Sequence, residues 1–202
     1  MINVIKIEPV GFASNSYLVT ADGKNAVAID PAQPRVLEEA VRRGLKIKYV
    51  LLTHGHFDHI GGCAALRCNG AKIGCLEGER ETALGKNNLA EAFGGIAVPL
   101  FTIDFTCKDG EEIVLCDIRF KVIATPGHTS GSCCYLAENC IFSGDTLFCG
   151  NIGRTDLPTG SPRDMRESLR RLCSLEGEYI LYPGHGENGT LAQERKRGWE
   201  TC

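Results

Sequence analysis

The sequence predicts an α/β (α+β) chain in which mixed sheets carry helices on their outer faces, rather than a purely parallel doubly wound sheet. Two observations point there. Short strand-like runs are interspersed with amphipathic helical segments along the 202 residues, which calls for layered sheet and helix. Many neighbouring strands are separated by only a few turn residues, which suits hairpins and antiparallel pairing. A third observation concerns chemistry. All five histidines lie in turns that follow apolar strand-like runs.

The elements follow in order. Asn3–Glu8, Tyr17–Thr20 and Ala26–Ile29 read as strands separated by Gly, Asn and Asp turn signals. Pro34–Arg43 reads as a helix: Pro34 suits a first turn, and Val36, Leu37, Ala40 and Val41 form an apolar stripe. Lys48–Leu52 is a strand running straight into the histidine cluster, Ile60–Cys68 is Ala-rich and helix-like, and Ala71–Cys75 is a further strand. Glu77–Phe93 reads as a polar helical excursion, and 77–105 as an insertion that forms either a partial lid or a packing excursion. Ile113–Leu115, Arg119–Ala124, Cys133–Leu136 and Cys140–Phe142 are strands with short connections. Pro162–Cys173 is a helix with Leu169 and Leu172 on its apolar side, Glu178–Tyr182 is the last clear strand, and Leu191–Gly198 is a short helix. No linker, repeat or low-complexity tract divides the chain, so one domain over 1–202 is expected.

Composition excludes several classes. A hydrophobic fraction of 43% and a charged fraction of 23% describe an ordinary globular protein. The net charge of -3 leaves no electrostatic footprint for nucleic acid or an anionic membrane; the basic run Glu194–Arg197 reads as a solvated helical turn. No apolar run reaches the ~20 residues of a membrane span, and the N-terminus lacks the pattern of a signal peptide. The eleven cysteines include no CxxC pair. Most sit in apolar runs, as Cys75, Cys133, Cys134 and Cys140 do, and read as small buried hydrophobes kept reduced in a cytoplasm. Cys149, just after Asp145, is assigned to the core on the same basis.

The candidate site comes from a repeated local grammar: an apolar strand, then a turn carrying a metal-ligating side chain. Tyr49–Leu52 precedes His54, Phe120–Ala124 precedes His128, Ile141 and Phe142 precede Asp145, and Tyr179–Tyr182 precedes His185. Strand ends are rigid, so such turns can aim side chains at one point on a sheet edge. His54 and His56 are two apart and project to one side of extended chain, so both can reach one metal. Asp58 and His59 are adjacent and diverge, which suits a second metal. Imidazole and carboxylate donors suit zinc, iron or manganese. Two metals would sit about 3.5–4 Å apart around a shared oxygen. A non-catalytic structural metal is disfavoured, because structural zinc is closed by four ligands, often cysteines.

With these motifs in place, the sequence resembles the metallo-β-lactamase-fold superfamily, and within it the glyoxalase II-like (hydroxyacylglutathione hydrolase-like) enzymes. The resemblance spans nearly the whole chain: Asp30 in Ile29-Asp30-Pro31, the Thr53–His59 cluster, His128, Asp145, the stretch Gly144–Arg154 and His185. It implies a four-layer αββα sandwich of two mixed sheets with the site at one edge. It also implies that His54, His56 and His128 hold metal 1, that Asp58, His59 and His185 hold metal 2, and that Asp145 bridges them. The two divalent ions are expected to be zinc, with iron or manganese as alternatives. Asp30 matches the family's support residue, and Thr129 and Ser130 are expected to brace the His128 turn. The implied activity is hydrolysis of hydroxyacyl-glutathione or a related small-thiol thioester by a metal-bridging hydroxide that Asp58 helps to hold. Only residues 186–202 follow His185, so the helical C-terminal domain that carries much of the glutathione-binding surface is expected to be missing. Arg154 and Phe148 are candidates for substrate contact, with an Arg154–Asp156 pair as the competing reading. Alternatives on the same scaffold are a persulfide dioxygenase-like mononuclear iron enzyme, which shares the Gly153–Asp156 stretch, and a lactonase or phosphodiesterase. A true β-lactamase is disfavoured, because that subgroup lacks an aspartate at the bridging position.

Overall fold

Along the strand Lys46–Leu52, Val50 and Leu52 face one apolar layer while Leu51, between them, faces another. Both faces of this strand are therefore buried, and the period of two sends alternate residues into separate cores. The same division recurs throughout the computed structural model, which describes residues 1–199.

The first sheet comprises β1 (Asn3–Ile7), β2 (Ser16–Thr20), β3 (Asn25–Ile29), β4 (Lys46–Leu52), β5 (Lys72–Leu76) and β6 (Phe105–Cys107), adjacent in chain order. Its first three strands are antiparallel, and β3 to β6 run parallel. The second sheet holds β7 (Glu112–Leu115), β8 (Ile118–Ala124), β9 (Cys133–Ala137), β10 (Cys140–Gly144), β13 (Ile180–Pro183) and β14 (Gly189–Thr190), in the spatial order β14-β13-β10-β9-β8-β7. Only the β10–β13 pair is parallel there. Between β10 and β13 the chain makes a small ribbon, β11 (Leu147–Phe148) with β12 (Asn151–Ile152). The helices are α1 (Arg35–Arg42), α2 (Phe57–Ile60), α3 (Cys63–Cys68), α4 (Arg80–Leu84), α5 (Pro162–Cys173) and α6 (Leu191–Arg195).

Three apolar layers make this an αββα sandwich. The outer layer of the first sheet packs Leu18, Ala28, Val50 and Ile73 against Val36 and Ala40 of α1 and Cys63 and Leu66 of α3. The central layer joins Tyr17, Val27, Ile29 and Leu51 to Phe120, Val122, Tyr135 and Phe142 of the second sheet. The third packs Ile123, Cys134, Ile141 and Leu181 against Met165, Leu169 and Leu172 of α5 and Leu191 of α6. No helix among the described residues is long and apolar enough to cross a membrane.

Several elements differ from the sequence expectation. The Ile60–Cys68 helix is two short helices broken at Gly61–Gly62, where Gly62 N–H donates to Pro31 O (2.7 Å) and a side chain on either glycine would overlap the Ala32 or Gln33 carbonyl. The Glu77–Phe93 excursion is only α4 flanked by 3-10 turns, interrupted at Gly85 and at Leu89 with φ 68°. The α1 stripe is narrower than its pattern, for Val36 and Ala40 are buried but Val41 is exposed. The last helix stops at Arg195. The three-residue β6 and the two-residue β11, β12 and β14 are too short to carry a period and were not expected. Cys75, Cys133, Cys134 and Cys140 are buried as expected, whereas Cys149 is exposed at the turn between β11 and β12, so its assignment to the core is corrected.

Candidate metal centre

The C-terminal ends of β4, β8, β10 and β13 open onto one edge of the sandwich, and His54, His128, Asp145 and His185 follow them. Backbone hydrogen bonds tie these turns together. Cys133 N–H donates to Thr53 O (2.9 Å) across the two sheets, and Gly184 N–H donates to Gly144 O (2.8 Å). A side chain at position 184 would overlap Asp145 Oδ1 and His59, so the Pro183-Gly184-His185 turn requires glycine.

All seven predicted ligands meet there. His54, His56 and His128 form one group and Asp58, His59 and His185 another, each with one donor atom per residue within 4.8 Å of the others. His128 Nε2 lies 2.9 Å from His56 Nδ1, and His185 Nε2 lies 3.2 Å from Asp58 Oδ2. Asp145 stands between the groups: Oδ1 is 3.3 Å from His59 Nε2, and Oδ2 is 3.6 Å from His128 Nε2 and 3.5 Å from His185 Nε2.

The surrounding hydrogen bonds aim the rings. His59 Nδ1–H donates to Asp30 Oδ2 (2.9 Å), and His128 Nδ1–H donates to the Arg154 carbonyl (2.8 Å). Thr53 Oγ1 gives its proton to Asp30 Oδ2 (2.6 Å), which leaves a lone pair facing His54 Nδ1 (3.2 Å). Each acceptor fixes the tautomer and turns Nε2 inward, the usual arrangement behind a ligating imidazole. Asp30, itself at φ 46°, also accepts from Thr53 N–H (2.7 Å). These bonds tie Asp30 to the Thr53–His59 loop.

The electrostatics suit cations. Burial first, then the neighbouring His59, His56 and His128, pushes His54 well below the usual imidazole range. Burial and His128 take His56 down to about 3. Burial opposes charge on His59, yet Asp145, Asp58 and Asp30 outweigh it and raise its pKa. Burial likewise opposes charge on His185, but hydrogen bonds to Asp145 and Asp58 raise it to about 9. Burial disfavours the Asp145 carboxylate, but His59 and His185 pull its pKa well down. Four buried atoms, His54 Nε2, His56 Nε2, His59 Nε2 and Asp145 Oδ1, have no hydrogen-bond partner. Buried polar atoms are rarely left so. His54 and His56 are held neutral, while carboxylates raise His59 and His185, where a bound ion would take the place of the proton. Imidazole and carboxylate donors grouped this closely are what divalent ions require, so the residues fit two such ions.

The remaining predictions divide. Thr129 is buried and braces the turn, but its partners are Glu79 Oε2 (2.8 Å) and Ser132 Oγ (2.7 Å); Ser130 is exposed, and Ser132 takes the place expected of it because the turn points Ser130 outward. The Arg154 guanidinium is paired with Asp156 (2.7 Å) on the surface, and its backbone carbonyl accepts from His128. Phe148 lies beside His185, ring centroids 6.0 Å apart.

Sequence reasoning missed Glu79, which is fully buried. Its Oε1 accepts from Gly55 N–H (2.8 Å) and its Oε2 from Thr129, so one carboxylate joins the His54–His56 loop to the His128 turn. Burial raises its pKa to about 7 despite these bonds. Its only sequence signal was an acidic residue three positions after the end of an apolar strand. Asn15 was also missed: its N–H donates to Gly184 O (2.7 Å), and its side-chain amide to Pro183 O (3.0 Å) and Gly186 O (2.9 Å).

Known proteins resemble the chain over most of its length. Residues 9–185 match the family model of the metallo-beta-lactamase superfamily. The hydroxyacylglutathione hydrolase GloC of Haemophilus influenzae is 34% identical over 201 residues, 95% of each chain. Among solved structures, the BLEG-1 B3 metallo-beta-lactamase superposes with TM-score 0.89 at 30% identity over the whole of both chains. TTHA1623 in a di-iron-bound form superposes with TM-score 0.83 at 32% identity, covering 94% of this chain and 96% of that one. A family match over most of its length and a relative aligned nearly end to end show that this chain is an enzyme of the metallo-beta-lactamase superfamily.

Proposed function

We propose that the chain is a metal-dependent hydrolase of small-molecule thioesters, hydroxyacyl-glutathione among them. In this reading His54, His56 and His128 hold one divalent ion, Asp58, His59 and His185 hold a second, and Asp145 lies between them. The observation that carries it is the position of Asp145, 3.3–3.6 Å from histidines of both sets, with its Oδ1 and three buried imidazole nitrogens lacking hydrogen-bond partners. Two ions in such a site supply a water of lowered pKa and a Lewis acid for the carbonyl. Asp30, Glu79 and the Arg154 carbonyl keep the donors aimed. Asp58 lies at the mouth, its side chain 17% exposed, where it can accept a hydrogen bond from an incoming water. The leaving thiolate, with a parent pKa of ~8.5, needs little protonation; this suits a chain whose five histidines all belong to the two ligand sets.

Support for the thioester class comes from the hydroxyacylglutathione hydrolase relative. Zinc is the proposed metal, with iron or manganese as alternatives; the di-iron form of one neighbour makes iron the first of these. The proposed compartment is the cytoplasm, where the buried thiols Cys63, Cys75, Cys133 and Cys134 stay reduced. The test is a metal-defined activity panel: lactoyl-glutathione, other thioesters, a lactone, a β-lactam and glutathione persulfide. The β-lactam belongs there because of the B3 metallo-beta-lactamase neighbour. Two metals per chain with thioester hydrolysis is the expected result. One tightly held iron with oxygen consumption on the persulfide would overturn the reading, as would turnover confined to the β-lactam.

A further inference from the structure

A cleft of about 400 Å³ has Asp58, one of the candidate metal ligands, in its lining. Phe12 and Phe57 line it with Ile96, Val98 and Pro99, and its only polar side chains among the described residues are Asp58 and Gln33. Phe93 packs on Phe57 with ring centroids 5.5 Å apart. No lysine or arginine lines it. Its position is fixed by the site itself: Ser14 N–H donates to Asp58 O (2.9 Å) and Asn15 N–H to Gly184 O (2.7 Å), so the loop presenting Phe12 is pinned to both metal-2 turns. Yet Phe12 is 79% exposed, a large apolar side chain facing open space beside a polar centre. Two larger clefts, about 560 and 540 Å³, contain none of the candidate ligands. The presence of Asp58 in its lining, rather than size, singles this one out.

We infer that this cleft binds an apolar acyl chain, so that the preferred substrates are thioesters of medium-length acyl groups rather than of small hydroxyacids. The inference rests on the thioesterase reading and deepens it. A thioester carbonyl held at the metal pair sends its acyl half and its thiol half in different directions. Glutathione carries two carboxylates and an ammonium at neutral pH. A charged group in a cleft without countercharge is costly to desolvate, so the thiol half belongs on the solvent side and the acyl half in the cleft. A lactoyl group is polar and has three carbons, which leaves most of the Phe12–Pro99 surface uncovered. A longer alkyl chain covers it and gains free energy with each methylene removed from water.

The test is a homologous series of S-acyl glutathiones, acetyl to decanoyl, hydrolysed by the enzyme carrying its full metal complement. The expected result is a rise in kcat/KM of about fourfold for each methylene buried, until the cleft is filled. Phe12→Ser and Ala97→Asp, both at exposed positions of the cleft rim, flatten that rise. Val114→Ser, an exposed apolar site on β7 outside the cleft, keeps it. Non-hydrolysable S-alkyl glutathiones bound to the metal-free protein give a second readout by calorimetry, with Kd falling along the series. Hydrolysis that is flat or falls with chain length, or an equal rise in all three variants, overturns the acyl cleft and leaves the thioesterase reading standing. Hydrolysis of no member of the series overturns the thioesterase reading and this inference with it.

Discussion

Asp30 is buried, and three hydrogen bonds to it set the ligand loop: two from Thr53 and one from His59. Removing such a partner typically costs 10–100-fold in metal affinity. Asp30→Asn is therefore expected to weaken the His59-containing site by about that factor, measured by competition with a chelator of known affinity. An unchanged affinity would show that the loop is held by other means. Glu79 makes a second prediction, this time in pH. Its pKa is raised to about 7, so between roughly pH 4.5 and 7 the native state holds a proton that the unfolded chain has released. The native state binds more protons, so this group's contribution to stability falls as pH rises, by up to about 3 kcal/mol. Glu79→Gln cannot ionise. Denaturant unfolding of the metal-free proteins across that window should show the variant gaining on the parent as pH rises; parallel curves would place the Glu79 pKa near its ordinary value.

At the scale of elements, α5 does more than cover the second sheet. Its N-cap Ser161 accepts from Asp164 N–H (3.3 Å), while Ser161 N–H donates to Gly127 O (2.8 Å) in the turn carrying His128. Ser168 Oγ–H donates to Pro126 O (2.7 Å) in the same turn. The helix start and the ligand turn are thus one unit. Ser161→Ala is expected to cost about 1 kcal/mol and to lower Tm by about 2–4 °C, read by calorimetry. A Tm equal to the parent's would mean that water replaces the cap without loss. Segment 77–105 likewise serves two ends. Ala83 and Ile103 belong to the outer apolar layer, Glu79 joins two ligand loops, and Ile96–Pro99 line the cleft.

For the whole molecule, the metal centre is a seam. His54, His56, Asp58 and His59 follow the first sheet, and His128, Asp145 and His185 follow the second. Without ions, buried donors lie across that seam unsatisfied. Each ion that binds only the native state stabilises it by about 2.7 kcal/mol at a hundredfold excess over Kd, or about 5–10 °C in Tm per ion for a chain of this size. Calorimetry of the metal-loaded and chelator-treated protein should show that gap. Coincident transitions would argue that the seam is held without metal and that the seven residues are not a ligand set.

The strands were legible because both faces of the central ones are buried, so apolar runs such as Tyr49–Leu52 stand out between turn residues. The candidate ligands were legible because imidazole is scarce in this chain and each histidine follows such a run. Very short elements were not legible, because two residues of β11, β12 or β14 hold no period. Local sequence therefore determined the grammar of strand, turn and ligand, together with the donor chemistry of the site. Only the tertiary structure decided which distant groups complete it. Glu79, Asn15, the Arg154 carbonyl and the Phe12 cleft act through contacts between segments far apart in the chain. Composition and spacing report what a segment prefers by itself. They do not report which backbone carbonyl or buried carboxylate the packed sheets bring against it.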